Sequence, residues 1–238
     1  MPSPRYALYY APRSDEPLAA FARSWLGRDA EADRNVTRLE VPGVLPAQIA
    51  EITAEPRRYG FHGTLKPPFA LAAGAAEDAL VTFAADFARR RRAFVVPALR
   101  LTVLAGFVAL VPDDTVPVLD ELAADCVREF DRFRAPPCAA DLARRRQAGL
   151  TARQEALLVR WGYPYVLEEY RFHLTLTGKL KNHDGKTVRR LLESLTAPLC
   201  GKPVPIRDVV VFYQDDRARP FRVIARLPLG ATQQGGAA

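Results

Sequence analysis

Disulfide and metal chemistry have little to work with in this chain, which holds only three cysteines and three histidines in 238 residues. Cys126, Cys138 and Cys200 are scattered, odd in number and form no C-x-x-C. That pattern argues against a disulfide framework or a zinc site and for a reducing cytoplasm. No H-E-x-x-H, acidic cluster or Cys/His ligand spacing occurs, so neither a metal nor another cofactor is expected. No apolar run reaches the length of a membrane-spanning helix, so no membrane partner is expected. Met1-Pro2-Ser3-Pro4-Arg5 leads directly into a strand-like segment, without the apolar stretch and small-residue cleavage site of a signal peptide. A cytoplasmic location follows as the expectation.

What remains is ordinary for a globular chain: 49% hydrophobic and 26% charged residues. The net charge is +7. A basic balance fits an anionic partner, a phosphate ester or RNA. Arginine far outnumbers lysine and alanine is abundant, which coding bias in a GC-rich genome explains equally well. Charge alone therefore supports no claim about nucleic acid.

Strands are expected at Arg5–Ala11, Phe94–Val103, Phe107–Val111, Val204–Gln214 and Phe221–Leu227, the last two joined by a polar turn at Asp215-Asp216-Arg217. Helices are expected at Pro17–Leu26, capped by Asp15 and ended by Gly27, and at Leu45–Thr53. Further helices are expected at 77–92, 118–133 and 185–195, from apolar residues at helical spacing. The Arg89–Arg92 cluster reads as a solvated helix end, where positive charge suits the macrodipole. Residues 135–160 read as an inserted helical hairpin, entered through Pro136-Pro137 and containing a Thr151–Gln154 capping box. Residues 230–238 read as a disordered tail.

Two of the three histidines lie in the same pattern, on expected strands at Tyr59–Leu71 and Glu168–Leu180. One reads His62-Gly63-Thr64-Leu65 and the other His173-Leu174-Thr175-Leu176. A strand has a period of two, so each His shares a face with the Thr two residues on. Alternation places Phe61, Leu65, Phe172, Leu174 and Leu176 toward a core. It places Gly60, His62, Thr64, Lys66, Arg171, His173, Thr175, Thr177 and Lys179 on the opposite, polar faces. After each motif come a helix and two strands. The chain thus reads as one bilobal α+β domain over 1–238, a degenerate duplication with halves at 1–134 and 161–229. Two pseudo-symmetric lobes of antiparallel sheet plus helices would flank a central cleft, each lobe contributing one motif strand.

A pair of histidines suits general acid–base catalysis at phosphorus, because imidazole titrates near neutral pH. In this reading His62 and His173 transfer protons, and the Thr64 and Thr175 hydroxyls hold the phosphate oxygens. Lys66, Arg171, Thr177 and Lys179 are accessory candidates, though strand-end lysines also simply solvate an edge. His183 reads as a loop residue, and Tyr9, Tyr10 and Tyr213 as core residues near the cleft. The 135–160 hairpin, placed just before the second motif, is expected to cap the cleft as a lid.

The segments Tyr59–Phe69 and Tyr170–Gly178 resemble the 2H phosphoesterase superfamily, defined by two H-x-[ST]-φ strands. The wording around them is similar to a bacterial branch whose genes lie in phosphonate-utilisation operons. The resemblance implies metal-independent opening of a small cyclic phosphodiester, on a sugar or nucleotide, to a phosphomonoester. It gives His62 and His173 the acid and base roles, with His173 preferred as base although the sequence does not decide the order. Alternatives are an RNA end-processing 2′-5′ ligase or phosphodiesterase, and a non-catalytic nucleotide-binding module.

Overall fold

The computed structural model describes residues 4–180 and 185–230. From the N-terminus the elements are β1 (Arg5–Tyr10), α1 (Pro17–Leu26), the short β2 (Arg28–Asp29) and β3 (Arg34–Asn35), α2 (Pro46–Ile52) and α3 (Ala54–Tyr59). The first motif strand β4 (Gly63–Phe69) follows, then α4 (Glu77–Arg89), β5 (Phe94–Val96), β6 (Leu99–Leu104) and β7 (Phe107–Pro112). Next come α5 (Pro117–Glu129) with a 3-10 turn at Phe130–Phe133, α6 (Ala139–Arg146) and α7 (Ala152–Trp161). The second motif strand β8 (Leu174–Thr175) leads to α8 (Gly185–Thr196), β9 (Val204–Ile206), β10 (Asp208–Gln214) and β11 (Arg222–Pro228).

Seven strands form one antiparallel sheet in the order β11-β10-β1-β4-β8-β7-β6. The two motif strands, one from each pseudo-symmetric half, are therefore neighbours at its middle. The two halves also interleave, which the expected boundaries at 134 and 161 do not capture. Hairpin β6–β7 of the first half pairs through β7 with the motif strand of the second. Hairpin β10–β11 of the second half pairs through β10 with β1, beside the motif strand of the first. The equivalent strands β5 and β9 pair with each other, Phe94 with Ile206 and Val96 with Val204. Helix α4 packs on β10 and β11, and α8 packs on β6. An antiparallel sheet permits this exchange because its partners need only meet in space, not in sequence.

Most of the core lies on one face of the sheet. Tyr6, Leu8, Tyr10, Leu65, Leu110, Leu174, Val209 and Val211 meet Leu18, Trp25 and Leu26 of α1, Phe87 of α4, Leu122 of α5 and Leu192 of α8. The α4 pattern predicted by periodicity is real: Leu80, Ala84 and Phe87 are fully buried. Each such large apolar side chain contributes roughly 1.5–3 kcal/mol of transfer free energy. A second, smaller cluster lies on the opposite face, where Ala7, Tyr9, Val210, Phe212 and Phe221 gather. The polar motif residues emerge on that side.

Several local expectations change on folding. Pro97 divides the long strand expected at 94–103 into β5 and β6, which join different sheets. The second motif strand is a two-residue ladder, although Leu176 and Thr177 also donate backbone hydrogen bonds to the Val108 carbonyl. Tyr59 ends a helix and does not begin a strand. Glu16, not Asp15, occupies the N-cap of α1, and no side chain caps it. The Thr151–Gln154 box forms as read, with the Thr151 hydroxyl accepting from the Gln154 amide at 3.2 Å. Gly230 is part of the fold, since its amide donates to the Ala88 carbonyl and its carbonyl accepts from Ala93. His183 and 231–238 lie outside the described residues. Among the described residues no helix is long and apolar enough to cross a membrane.

Candidate active site

The two motifs meet by register. Gly63 pairs with Leu174 in antiparallel β4 and β8. One residue further in either direction, that register sets His62 opposite Thr175 and Thr64 opposite His173. The four groups make a quadrilateral with the imidazoles on one diagonal and the hydroxyls on the other. Cross-strand neighbours are about 5 Å apart and diagonal ones about 7–8 Å, a span that accommodates a phosphate. Gly63 permits the pairing: a Cβ there would come within 2.2 Å of the Phe172 ring.

Each imidazole is fixed in the same way. His62 Nδ1 donates to the Gly60 carbonyl at 2.8 Å, and His173 Nδ1 to the Arg171 carbonyl at 2.7 Å. A carbonyl can only accept, so Nδ1 carries the proton and each neutral ring keeps Nε2 as its free lone pair. Gly60 serves this geometry with a positive φ of 75°, in a place where a Cβ would lie 2.8 Å from that of Ala30. Both rings line a cleft of about 550 Å³ together with Thr64 and Thr175. Neither threonine hydroxyl has a hydrogen-bond partner among the described residues. The Thr64 carbonyl, by contrast, accepts from the Tyr170 hydroxyl at 2.8 Å, which braces the first motif strand.

The surroundings of the two rings differ. His62 stacks on Tyr9, with centroids 3.8 Å apart and planes 19° from parallel, and Tyr59 and Phe212 stand at 6.2 Å. Burial holds its pKa down to about 4, against the opposing pull of the Gly60 hydrogen bond, and the charge of His173 lowers it further. His173 meets one ring, Phe107, at 5.6 Å. Its pKa is also lowered by burial, with the Arg171 carbonyl opposing.

The accessory candidates fare differently. Lys66 is buried, not in the cleft: its ammonium donates to the Val127 carbonyl at 2.9 Å, with Asp131 at 3.8 Å. Burial lowers its pKa to about 8. The physical reason is a β-bulge. Tyr9 pairs with Thr64 but Leu8 pairs with Lys66, so β4 spends an extra residue there and the alternation reverses. Lys66 thereby falls on the core face with Leu8. Arg171 folds back onto the Glu168 and Tyr170 carbonyls and touches the site only through its own carbonyl. Thr177 borders the cleft, but its hydroxyl accepts from the Val108 amide at 2.9 Å and so ties β7 to the second motif. Lys179 lines the cleft and is exposed.

Tyr9 is a core residue as read and also borders the cleft, whereas sequence reasoning passed over Arg5, Tyr59, Tyr163 and Arg217, which line it too. A usable signal existed for Arg5, because parity along β1 puts Arg5, Ala7 and Tyr9 on one face. Arg144 and Arg145 of the inserted hairpin also line the cleft, and Arg217 of the β10–β11 turn grips Asp141 of α6 at 2.7 and 2.8 Å. Among the described residues no cluster of three or more His, Cys, Asp or Glu side chains is placed to hold a metal ion.

The fold, with one H-x-T-L motif in each of two pseudo-symmetric halves, is that of the 2H phosphoesterases. One similar solved structure is the crystal structure of E. coli LigT complexed with 3′-AMP, at a TM-score of 0.51 and 13% identity, covering 97% of this chain and 99% of that one. The chain belongs to the family described as "Protein of unknown function (DUF1045)", which matches residues 64–222 and so begins just past His62. Two relatives carry the name ribose 1,5-bisphosphate phosphokinase PhnN. That of Janthinobacterium sp. (strain Marseille) is 40% identical over 228 residues, covering 94% of this chain and 50% of its own length. That of Laribacter hongkongensis (strain HLHK9) is 36% identical over 220 residues, covering 92% and 50%. The chain thus spans about half the length of the curated relatives it matches.

Proposed function

We propose that this chain is a phosphoesterase that opens a small cyclic phosphodiester to a phosphomonoester by two-histidine acid–base catalysis. The observation that carries this reading is the diagonal pair of imidazoles, each with Nδ1–H held by a carbonyl two residues back and Nε2 left for chemistry. A phosphorus seated over the quadrilateral has one imidazole on either side, as in-line displacement requires. One Nε2 takes a proton from the attacking water as its oxygen bonds to phosphorus. The opposite imidazolium gives its proton to the departing sugar oxygen as the P–O ester bond breaks. Thr64 and Thr175 donate to the non-bridging oxygens, where the charge gathers.

The electrostatics favour His62 as base and His173 as acid, the reverse of the order preferred from sequence. His62 is held neutral more firmly, by its aromatic surroundings and by its neighbour. A bound phosphate anion raises both values and helps keep His173 protonated.

The relatives' names support a phosphorylated ribose as substrate. This chain has no G-x-x-x-x-G-K-[ST] phosphate loop, so we assign the named phosphokinase to the remaining half of those relatives. A place in phosphonate utilisation is consistent with both. Phosphorus NMR of the purified protein, in chelator, with ribose 1,2-cyclic phosphate, 2′,3′-cyclic nucleotides and ADP-ribose cyclic phosphate tests the proposal. Ring opening by the parent chain and none by the His62→Ala/His173→Ala protein is the expected result. Equal turnover by the double variant would remove the histidines from the chemistry, and loss of turnover in chelator would redirect the mechanism to a metal.

A further inference from the structure

The cleft holds more positive charge than one phosphate needs. Arg5, Arg144, Arg145 and Arg217 line it together with the histidine–threonine quadrilateral. Two of them hold one carboxylate, Asp141: Arg217 at 2.7 Å and Arg144 at 2.9 Å. Glu55, also in the lining, lies against Gly178 on the far side. Arg5 and Arg145 form no ion pair among the described residues, yet both are half-buried.

Each of these two guanidinium groups is held in place by neutral partners. Arg5 donates to the side-chain oxygen of Gln214, at 2.9 Å from Nε. Gln214 is itself buried and anchored through its amide nitrogen to the Arg219 carbonyl at 2.6 Å. Arg145 lies over the Tyr163 ring at 4.3 Å. A guanidinium taken partly out of water keeps its full charge, so carboxylate partners or a bound anion favour such a position. Burial lowers the pKa of both; Tyr59 beside Arg5, and Tyr163 and Asp141 near Arg145, oppose this, while Arg217 and Arg144 add to it. Guanidinium groups held in place without an ion pair of their own are suited to receive an anionic ligand. The reacting centre is near: Arg5 and Arg145 share the cleft lining with Tyr59, whose ring stands 6.2 Å from that of His62.

We infer that Arg5 and Arg145, with Arg217 beside them, form a second anion subsite that binds a non-reacting phosphoryl group on the same small substrate. This rests on the proposed phosphoesterase reading and narrows it to bis-phosphorylated sugars, one phosphate cyclic and the other a monoester. The inserted hairpin, which supplies Arg144 and Arg145, is then part of the specificity pocket and not merely a cover.

D-ribose 5-phosphate isolates this subsite, since it carries the monoester and no cyclic phosphate. Its binding would be measured by titration calorimetry on the parent chain, an Arg5→Gln/Arg145→Gln variant and the His62→Ala/His173→Ala variant, each first checked for native circular dichroism. Arg217→Gln with Arg145→Gln stands in if the Arg5 variant fails to fold. The expected result is a loss of roughly 10- to 100-fold in affinity in the arginine variant, as for one or two charge-assisted hydrogen bonds, and little change in the histidine variant. The opposite pattern, or no binding to the parent chain, overturns the inference. So does affinity for single-stranded RNA that rises with length through the same arginines, which would mark a polyanion groove. A cyclic phosphate opened at equal kcat/KM with and without its second phosphate would also overturn it while leaving the phosphoesterase reading intact. Ribose 5-phosphate binding through the arginines without any ring opening would do the reverse.

Discussion

The two motif strands carry the same four-residue pattern into unequal surroundings. The first continues for seven residues between β1 and β8, is bulged at Leu65–Lys66, and seats its histidine against Tyr9. The second is a two-residue ladder whose histidine meets the single ring of Phe107. Local geometry is nonetheless conserved between them, down to the Nδ1–H···O=C bond two residues back. Repetition thus fixes how each imidazole points, and the packing around it fixes how readily it takes a proton. In the proposed reaction, two copies of one motif would in this way take the base and acid roles.

The largest effect that would break this comparison is on turnover. His62→Ala and His173→Ala are each expected to lower kcat by about 10² to 10⁴-fold, with native circular dichroism retained. The double variant should be little worse than either single one, since the pair acts as a unit. A strongly unequal loss would show that one ring only positions substrate.

A pH profile sharpens the contrast between the two surroundings. A neutral His62 and a protonated His173 are required together, so kcat/KM should peak on the acid side of 6.5 and fall at its acid limb near pH 4. An acid limb nearer to the usual imidazole value would show that burial does not hold His62 down in the working enzyme. Linkage gives an independent check on the same group. The unfolded chain protonates His62 near 6.5 and the folded chain only near 4, so its contribution to stability is present above 6.5 and is lost as pH falls toward 4. His62→Gln should flatten that part of the stability curve.

The smallest effect concerns the bulge that distinguishes the first strand. Lys66→Met removes the donor to the Val127 carbonyl and should cost about 1–3 kcal/mol of stability, read from denaturant midpoints. Catalytic constants at saturating substrate should scarcely move. A large fall in kcat/KM with stability unchanged would return Lys66 to the cleft.

The bulge also shows where reading by alternation stops. Parity correctly grouped His62 with Thr64 and His173 with Thr175, because each pair lies within two residues. It failed at Lys66, two residues further on, because a bulge depends on the neighbouring strand and leaves no mark in a single run of sequence. It failed differently at Arg171 and Thr177. Parity fixes the side of the strand from which a side chain leaves but not the backbone group it then finds. Helices α1, α4 and α7 were legible because apolar spacing, Gly27 and the Thr151 box are all local.

The sequence by itself determined the repeated His-x-Thr-Leu chemistry, the duplicated order of motif, helix and two strands, and the poverty of metal-ligand and disulfide patterns. Those are properties of nearest neighbours and short periods. Only the tertiary structure decided that the motif strands lie side by side, with histidines on one diagonal and threonines on the other. It alone exchanged the hairpins between halves, gave the two imidazoles different surroundings, and drew Arg5, Arg145 and Arg217 to one cleft. Each of these results from contacts between residues far apart in the chain, where burial and register are set by the whole sheet.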